Sequence, residues 1–418
     1  MTVTADAIVV GAGVIDSSIA LELARDGLDV VVVDKAGAPG QGSTSASSAI
    51  IRFNYSTWDG VALAWESKHC WEKWSDHLEG DDPDGMASFR RTGMVFLDVD
   101  VAPKGRWFGL FERAGIPFES WDAAELHRRL PEIDTGKYWP PKRVDDPAFW
   151  DAATDVLGAL WTPDAGYVDD PALAAVNLAN AARRRGARFQ FGKAVVEVLG
   201  DGAVSGVRLD DGTVVSAPVV VNAAGPWSGK LNELAGVGAD WTVSVTPMRQ
   251  EVHHVPAPPG LGPVIADLDL GTYVRPAPGG AALVGGTEPE CDPLQWLDDP
   301  EAANLNPTQS GFEAQVTRAA RRFPDLGVPG KAVGIAGVYD VTEDWTPIYD
   351  RSEREGFFLA IGTSGNQFKN APLAGKLLAQ LVRGETTYTG AHTGLEIDLA
   401  SFSRRRPRNA DSSGTVMG

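Results

Sequence analysis

Two kinds of apolar pattern divide this chain. Short unbroken runs at Ala7–Val10, Val30–Val33, Val219–Val221 and Phe357–Ile361 have the length of strands buried on both faces, as in a parallel sheet. Ile19–Asp26 reads as a helix between the first two, and Pro171–Arg185 as an amphipathic helix behind the capping residue Asp170, followed by a strand at Ala194–Val198. Leu63, Trp71, Trp74 and Leu78 recur at helical spacing across Ala62–Leu78, so the tryptophans there, Trp65 included, are packing residues. The second kind is strand-like and broken by turns: Gly93–Leu97, Thr242–Val255, Thr272–Arg275 and Ala281–Gly285, with Pro/Gly-rich turns at Pro256–Gly260 and Pro278–Gly280. These predict a mixed or antiparallel sheet. Val204–Leu209 and Val214–Ser216 flank Asp210-Asp-Gly212, a strong hairpin signal. A helix is expected near Lys104, and Trp139-Pro-Pro141 marks a Pro-rich stretch.

The chemistry sits at the ends of the buried runs. Gly11-Ala-Gly13 follows the first strand and lets backbone approach a pyrophosphate, and Asp34 falls about 20 residues on, where an acid takes the ribose hydroxyls of an unphosphorylated adenosine. Gly40–Ser48 is a loop of small and hydroxyl residues suited to close approach by a flavin. Ala223-Ala-Gly225 ends another strand, where either a dinucleotide or a close helix fits. Near the end stands Gly362-Thr-Ser-Gly-Asn-Gln-Phe-Lys369. Together these stretches point to FAD. Asp16 departs from the fingerprint, because a third Gly or Ala normally allows helix and strand to pack closely there. Its carboxylate predicts weaker cofactor affinity; the alternative is a βαβ unit that binds no nucleotide.

Length and composition narrow the class. With 418 residues and 43% hydrophobic content, the chain suits two or three domains. No run approaches the roughly 18 apolar residues of a membrane span, and the start leads into a strand without a secretory signal, so a cytoplasmic protein with no membrane partner is expected. Two cysteines, Cys70 and Cys291, read as buried hydrophobes, and no metal site is expected. A net charge of −19 argues against nucleic acid as a partner. His253-His254 would face opposite ways on a strand, which favours packing over metal binding. Arg404–Arg408 is expected in a solvated tail.

The fingerprint, Asn222-Ala-Ala-Gly-Pro-Trp227 and Gly362–Pro372, met in this order, make the chain resemble the D-amino-acid oxidase superfamily, near its sarcosine, dimethylglycine and glycine oxidase branch. The resemblance implies an α/β (α+β overall) fold: a discontinuous Rossmann-like FAD-binding domain (1–88, 151–235, 334–400), a substrate domain on a mixed or antiparallel sheet (89–150, 236–333) and a polar tail (401–418). It implies cofactor contacts from Gly11, Gly13, Asp34, Lys35, Ser43, Thr44, Ser45, Ala49, Val195, Ala224, Gly225, Gly362, Gly365, Asn366, Gln367 and Phe368. The last long helix, starting at Gly365 to Phe368, would aim its N-terminus at the flavin edge that becomes anionic on reduction.

The resemblance also assigns Arg52 to the substrate carboxylate, Lys369 as a second cation and Tyr339 to the pocket. The alternatives are a structural ion pair, a helix-surface lysine and ordinary aromatic packing. Tyr55, Tyr273, Arg275 and Thr287 are further pocket candidates. Ala46 and Gly337 occupy the places where relatives attach flavin, so FAD is expected to be non-covalent. Leu283 replaces a lysine that assists oxygen, and Thr287 a pocket histidine. The activity implied is oxidation of a C–N bond in an amino acid or N-substituted amino acid, with hydride passing to flavin N5, the imine hydrolysing, and O2 or another acceptor taking the electrons. The alternatives are a hydroxy-acid dehydrogenase and a cofactor-poor binding protein weakened by Asp16.

Overall fold

The computed structural model describes residues 2–417. Six strands form the nucleotide-binding sheet, in the order Arg188–Phe191, Val30–Asp34, Ala7–Val10, Val219–Asn222, Phe357–Ile361 and Ile348–Arg351. All neighbours are parallel except the last pair. Both faces are covered, which is why the strands are apolar throughout. Ala7 and Val9 pack with Ile19, Leu23 and Leu377 of the helices Val14–Arg25 and Ala371–Arg383. Ile8 and Val10 pack on the opposite side with Val207, Val215 and Leu231. The two helices approach closely at Gly375, where a β-carbon would come 2.5 Å from the Ser18 carbonyl oxygen.

The hairpin Gly206–Leu209 and Val214–Ser216 belongs to a four-stranded sheet with Val195–Leu199 and Thr2–Thr4. Asp170 caps Pro171–Arg184 by accepting from the Leu173 amide at 2.9 Å. The second domain is a nine-stranded mixed sheet running Gln295–Trp296, Val245–Pro256, Ala281–Gly286, Thr272–Ala277, Val264–Asp267, Met94–Leu97, Ala159–Thr162 and Glu119–Trp121, with Gly334–Thr342 also paired to Val245–Pro256. His253 is buried there against Phe312, and His254 is exposed.

Three expectations need correction. Ala159–Thr162 and Gly334–Thr342, placed by the resemblance within the nucleotide domain, pair within the large sheet, because short apolar runs carry no mark of which sheet they join. The last helix begins at Ala371, after a 3-10 turn at Phe368–Asn370, rather than within Gly365 to Phe368. The residues after 401 are not a solvated tail: Arg404 pairs with Asp350 at 3.1 Å and Arg406 with Asp344 at 2.8 Å, both arginines being buried. Acids on the body of the fold, the half-buried Asp350 and the buried Asp344, give these arginines a place that local composition does not reveal.

Candidate active site

A cavity of about 410 Å3 opens where the strand ends of the nucleotide sheet face the large sheet. Its nucleotide side is built on the turn after Ala7–Val10. Gly11 has φ +116°, a value that side-chain-bearing residues rarely adopt. Asp34, at the end of the next strand, accepts from the amides of Ala12 at 2.6 Å and Ala36 at 2.7 Å, which fixes its carboxylate at the cavity wall. Thr44 accepts from the Val14 amide at 3.1 Å and so ties the Gly40–Ser48 loop to the start of the first helix. This turn, acid and hydroxyl loop fit the adenosine and pyrophosphate of FAD. Asp16 is the one intruder: its buried Oδ1 has no hydrogen-bond partner, and burial, reinforced by Asp34, holds its carboxyl well above the usual range. The neutral acid favoured by that shift does not repel phosphate as a carboxylate would.

The other side holds two buried cations. Arg52 follows the short strand Ile50–Ile51, and Lys369 lies in the 3-10 turn before the last helix. Both lie against Tyr55, with the guanidinium carbon 5.1 Å and the ammonium nitrogen 5.3 Å from the ring centroid. Tyr55 donates to the Asn366 carbonyl at 2.8 Å, and Lys369 Nζ bonds Tyr55 Oη at 3.1 Å. Trp71 holds the turn in place by donating to the Lys369 carbonyl at 2.7 Å while stacking on Phe368. Neither cation has a carboxylate in ion-pair contact among the described residues. Burial lowers the Arg52 pKa and pushes Lys369 well below its ordinary value, with Arg52 adding to the latter shift. Two adjacent buried basic side chains with no carboxylate partner among the described residues suit an anion.

Tyr339 completes this side. It lies under Gly365, where a β-carbon would come 2.3 Å from the ring. Tyr273 bonds Ser48 Oγ at 2.5 Å, and burial raises both tyrosines.

Most of the residues expected at the cofactor line the cavity: Gly11, Gly13, Asp34, Lys35, Ser43, Thr44, Ala49, Val195, Ala224, Gly225, Gly365, Asn366, Gln367 and Phe368. Ser45 and Gly362 do not. Among the substrate candidates, Arg52, Lys369, Tyr339 and Tyr273 line it, whereas Tyr55 stands behind the two cations. Arg275 turns away, its guanidinium 4.3 Å from the Tyr167 ring centroid, and Thr287 is buried outside the lining. Sequence reasoning missed Asp340, Val416 and Met417, which also line the cavity. Asp340 is next to Tyr339 in the sequence; nothing local marks the other two.

A parallel nucleotide sheet opening onto a cavity roofed by a large mixed sheet, with the amide-held Asp34 on one side and Arg52 and Lys369 on the other, fits a flavin-dependent oxidoreductase. Residues 6–381 match the family described as FAD dependent oxidoreductase, and the chain belongs to that family. FAD is its cofactor. The chain is 29% identical over 424 residues to glycine oxidase of Geobacillus kaustophilus (strain HTA426), covering 97% of this chain and 98% of that one. A crystal structure of glycine oxidase from Geobacillus kaustophilus aligns with a TM-score of 0.77 at 23% identity, covering 97% of this chain and all of that one (100%). L-proline dehydrogenase from P. horikoshii aligns with a TM-score of 0.78 at 22% identity, covering 97% and 98%. The two structural likenesses are likenesses of fold.

Proposed function

We propose that this protein oxidises the C–N bond of an amino acid or N-substituted amino acid. The observation that carries the reading is the pair of buried cations, Arg52 and Lys369, beside the loop Gly365–Phe368. Arg52 takes the substrate carboxylate through its planar fork, and Lys369 adds a second donor. Tyr339 and Tyr273 wall the space beside that anchor. Bound FAD supplies the two-electron acceptor for a hydride leaving the carbon attached to nitrogen. The substrate nitrogen gives up a proton, and the resulting imine adds water to give a carbonyl compound and an amine. The two electrons would pass from the FAD to dioxygen, which becomes hydrogen peroxide, or to another acceptor. Placement over the acceptor, rather than a strong base, is what this arrangement contributes.

FAD is held without a covalent bond in this reading. Ala46 and Gly337 face each other, a β-carbon on Gly337 falling 2.7 Å from Ala46 Cβ, and no Cys or His lines the cavity among the described residues. Two unpaired cysteines suit a reducing cytoplasm. No helix among the described residues is long and apolar enough to cross a membrane.

Anaerobic titration of the FAD-loaded protein tests the reaction. Amino acids or their N-methyl derivatives are expected to bleach the oxidised-flavin absorbance, and Arg52→Ala to abolish the response while retaining FAD. Bleaching by hydroxy acids alone, or by nothing in a broad amine panel, would overturn it.

A further inference from the structure

The segment beyond Arg406 returns to the substrate side of the cavity. Asn409 is tied to Asp344 at 3.1 Å and to Ser56 at 2.8 Å, and Val416 and Met417 are buried in the cavity wall. Val416 meets two charged side chains at once. Its amide donates to Glu288 Oε2 at 2.7 Å, and its carbonyl oxygen accepts from Arg52 Nη2 at 2.6 Å. A nitrogen and a carbonyl on one α-carbon therefore bridge a carboxyl and a guanidinium, which is the connectivity of an α-amino acid.

Glu288 has capacity to spare. Its Oε1 is enclosed without a hydrogen-bond partner among the described residues, and its backbone sits at φ +49°. An unpaired enclosed oxygen on a left-handed residue is a cost that the surrounding fold must sustain, and such costs gather at ligand sites. Burial pushes the Glu288 carboxyl up to about 8. The segment is the easier partner to move, because the hydrogen bonds of Ser412–Thr415 among the described residues are made within the segment itself.

We propose that Val416 stands in for the substrate, and that when its segment withdraws Arg52 takes the carboxylate and Glu288 the amine nitrogen of an α-amino acid. Glu288 then selects for nitrogen on the carbon next to the carboxylate, since one residue's N–Cα–C unit spans the two side chains and an amine three methylenes away does not reach both. This rests on the amino-acid chemistry proposed above and adds a requirement of spacing.

Full-length FAD-loaded protein is titrated with two probes that bind without turnover: 2-aminoisobutyrate, which has no α-hydrogen to lose, and acetate, which has no amine. Perturbation of the flavin absorbance reports binding. Glu288→Gln is expected to weaken 2-aminoisobutyrate by about tenfold, equivalent to ~1.4 kcal/mol, and to leave acetate within about twofold. Val416→Pro, which lacks the amide that Glu288 accepts, is expected to tighten both probes by about threefold or more. Should these variants not fold, Glu288→Asp carries the first expectation, and Val416→Gly, which keeps the amide but loses the side chain that packs the segment into the cavity wall, carries the second. The proposal falls if the glutamate variant weakens both probes equally or neither, or if the Val416 variant leaves both affinities unchanged or weaker. Because binding is read without turnover, an amino-acid panel that never bleaches the flavin would remove the proposed reaction and not this result.

Discussion

Asp16 occupies the space that Gly11 leaves open: a β-carbon on Gly11 would lie 1.8 Å from Asp16 Oδ1 and 2.7 Å from the Ala223 carbonyl oxygen. Glycine at that turn normally brings backbone against a pyrophosphate. Here the room is shared with a carboxyl group whose nearest charged influences are the acids Asp34 and Asp340.

FAD affinity is therefore expected to fall as pH rises through the elevated Asp16 value, by up to about tenfold per pH unit, because ionisation places a carboxylate beside the phosphates. Stability of the FAD-free protein has the same sign. The folded value lies above the unfolded one, so Asp16's contribution is complete below about 4 and is lost as pH rises through the folded value. Asp16→Asn should remove both dependences and add roughly 1–3 kcal/mol at alkaline pH, and Asp16→Gly should tighten FAD further. Flavin-fluorescence titrations and denaturant melts across pH check this. Parallel pH curves for wild type and Asp16→Asn would reject it.

Arg52 and Lys369 share Tyr55, and that proximity lowers the Lys369 pKa after burial has done so first. A bound carboxylate reverses the balance, so ligand binding is expected to take up a proton at Lys369. Carboxylate affinity should decline as pH rises above the depressed value. Calorimetry in buffers of different ionisation enthalpy reads the proton directly, and Lys369→Met should eliminate the uptake. Proton uptake unchanged in that variant would place the titrating group elsewhere.

The nucleotide half was legible because its strands are apolar throughout and its turn needs glycine: Ala7–Val10, Gly11 and Asp34 carry their roles in local order. The large sheet was legible as strands but not in its membership, since Ala159–Thr162 and Gly334–Thr342 are assigned only by partners far away in sequence. Val416 and Met417 were invisible for a stronger reason. Two apolar residues in a polar run carry no period, and only the position of Arg52 and Glu288 gives them a site. Arg404 and Arg406 were misjudged similarly, their acids lying on separate elements.

Arg322 holds the helix Gln309–Arg322 to the large sheet through buried contacts to Asp267 and Asp269, each 2.8 Å. Burial and Asp267 push Asp269 up to about 6, so removing the guanidinium leaves two acids in conflict. Arg322→Met is expected to destabilise the protein by about 3–5 kcal/mol in denaturant unfolding. A loss below about 1 kcal/mol would show that the acids find other partners.

Gly365 and Tyr339 test how closely the C-terminal loop must approach the large sheet. At φ +66° and with the Tyr339 ring 2.3 Å from where its β-carbon would be, Gly365 tolerates no side chain without movement of ring or loop. The loop carries Asn366, Gln367 and Phe368 along the cavity, so displacement there should reach the cofactor. Gly365→Ala is expected to cost about 1–3 kcal/mol in unfolding and to lower FAD content of the purified protein. Strain and contact separate in a second variant. Tyr339→Ala combined with Gly365→Ala relieves the clash but not the left-handed backbone, so it should restore part of the lost FAD content and no more than part of the stability. If the double variant recovers neither, the ring is not what limits the loop's position.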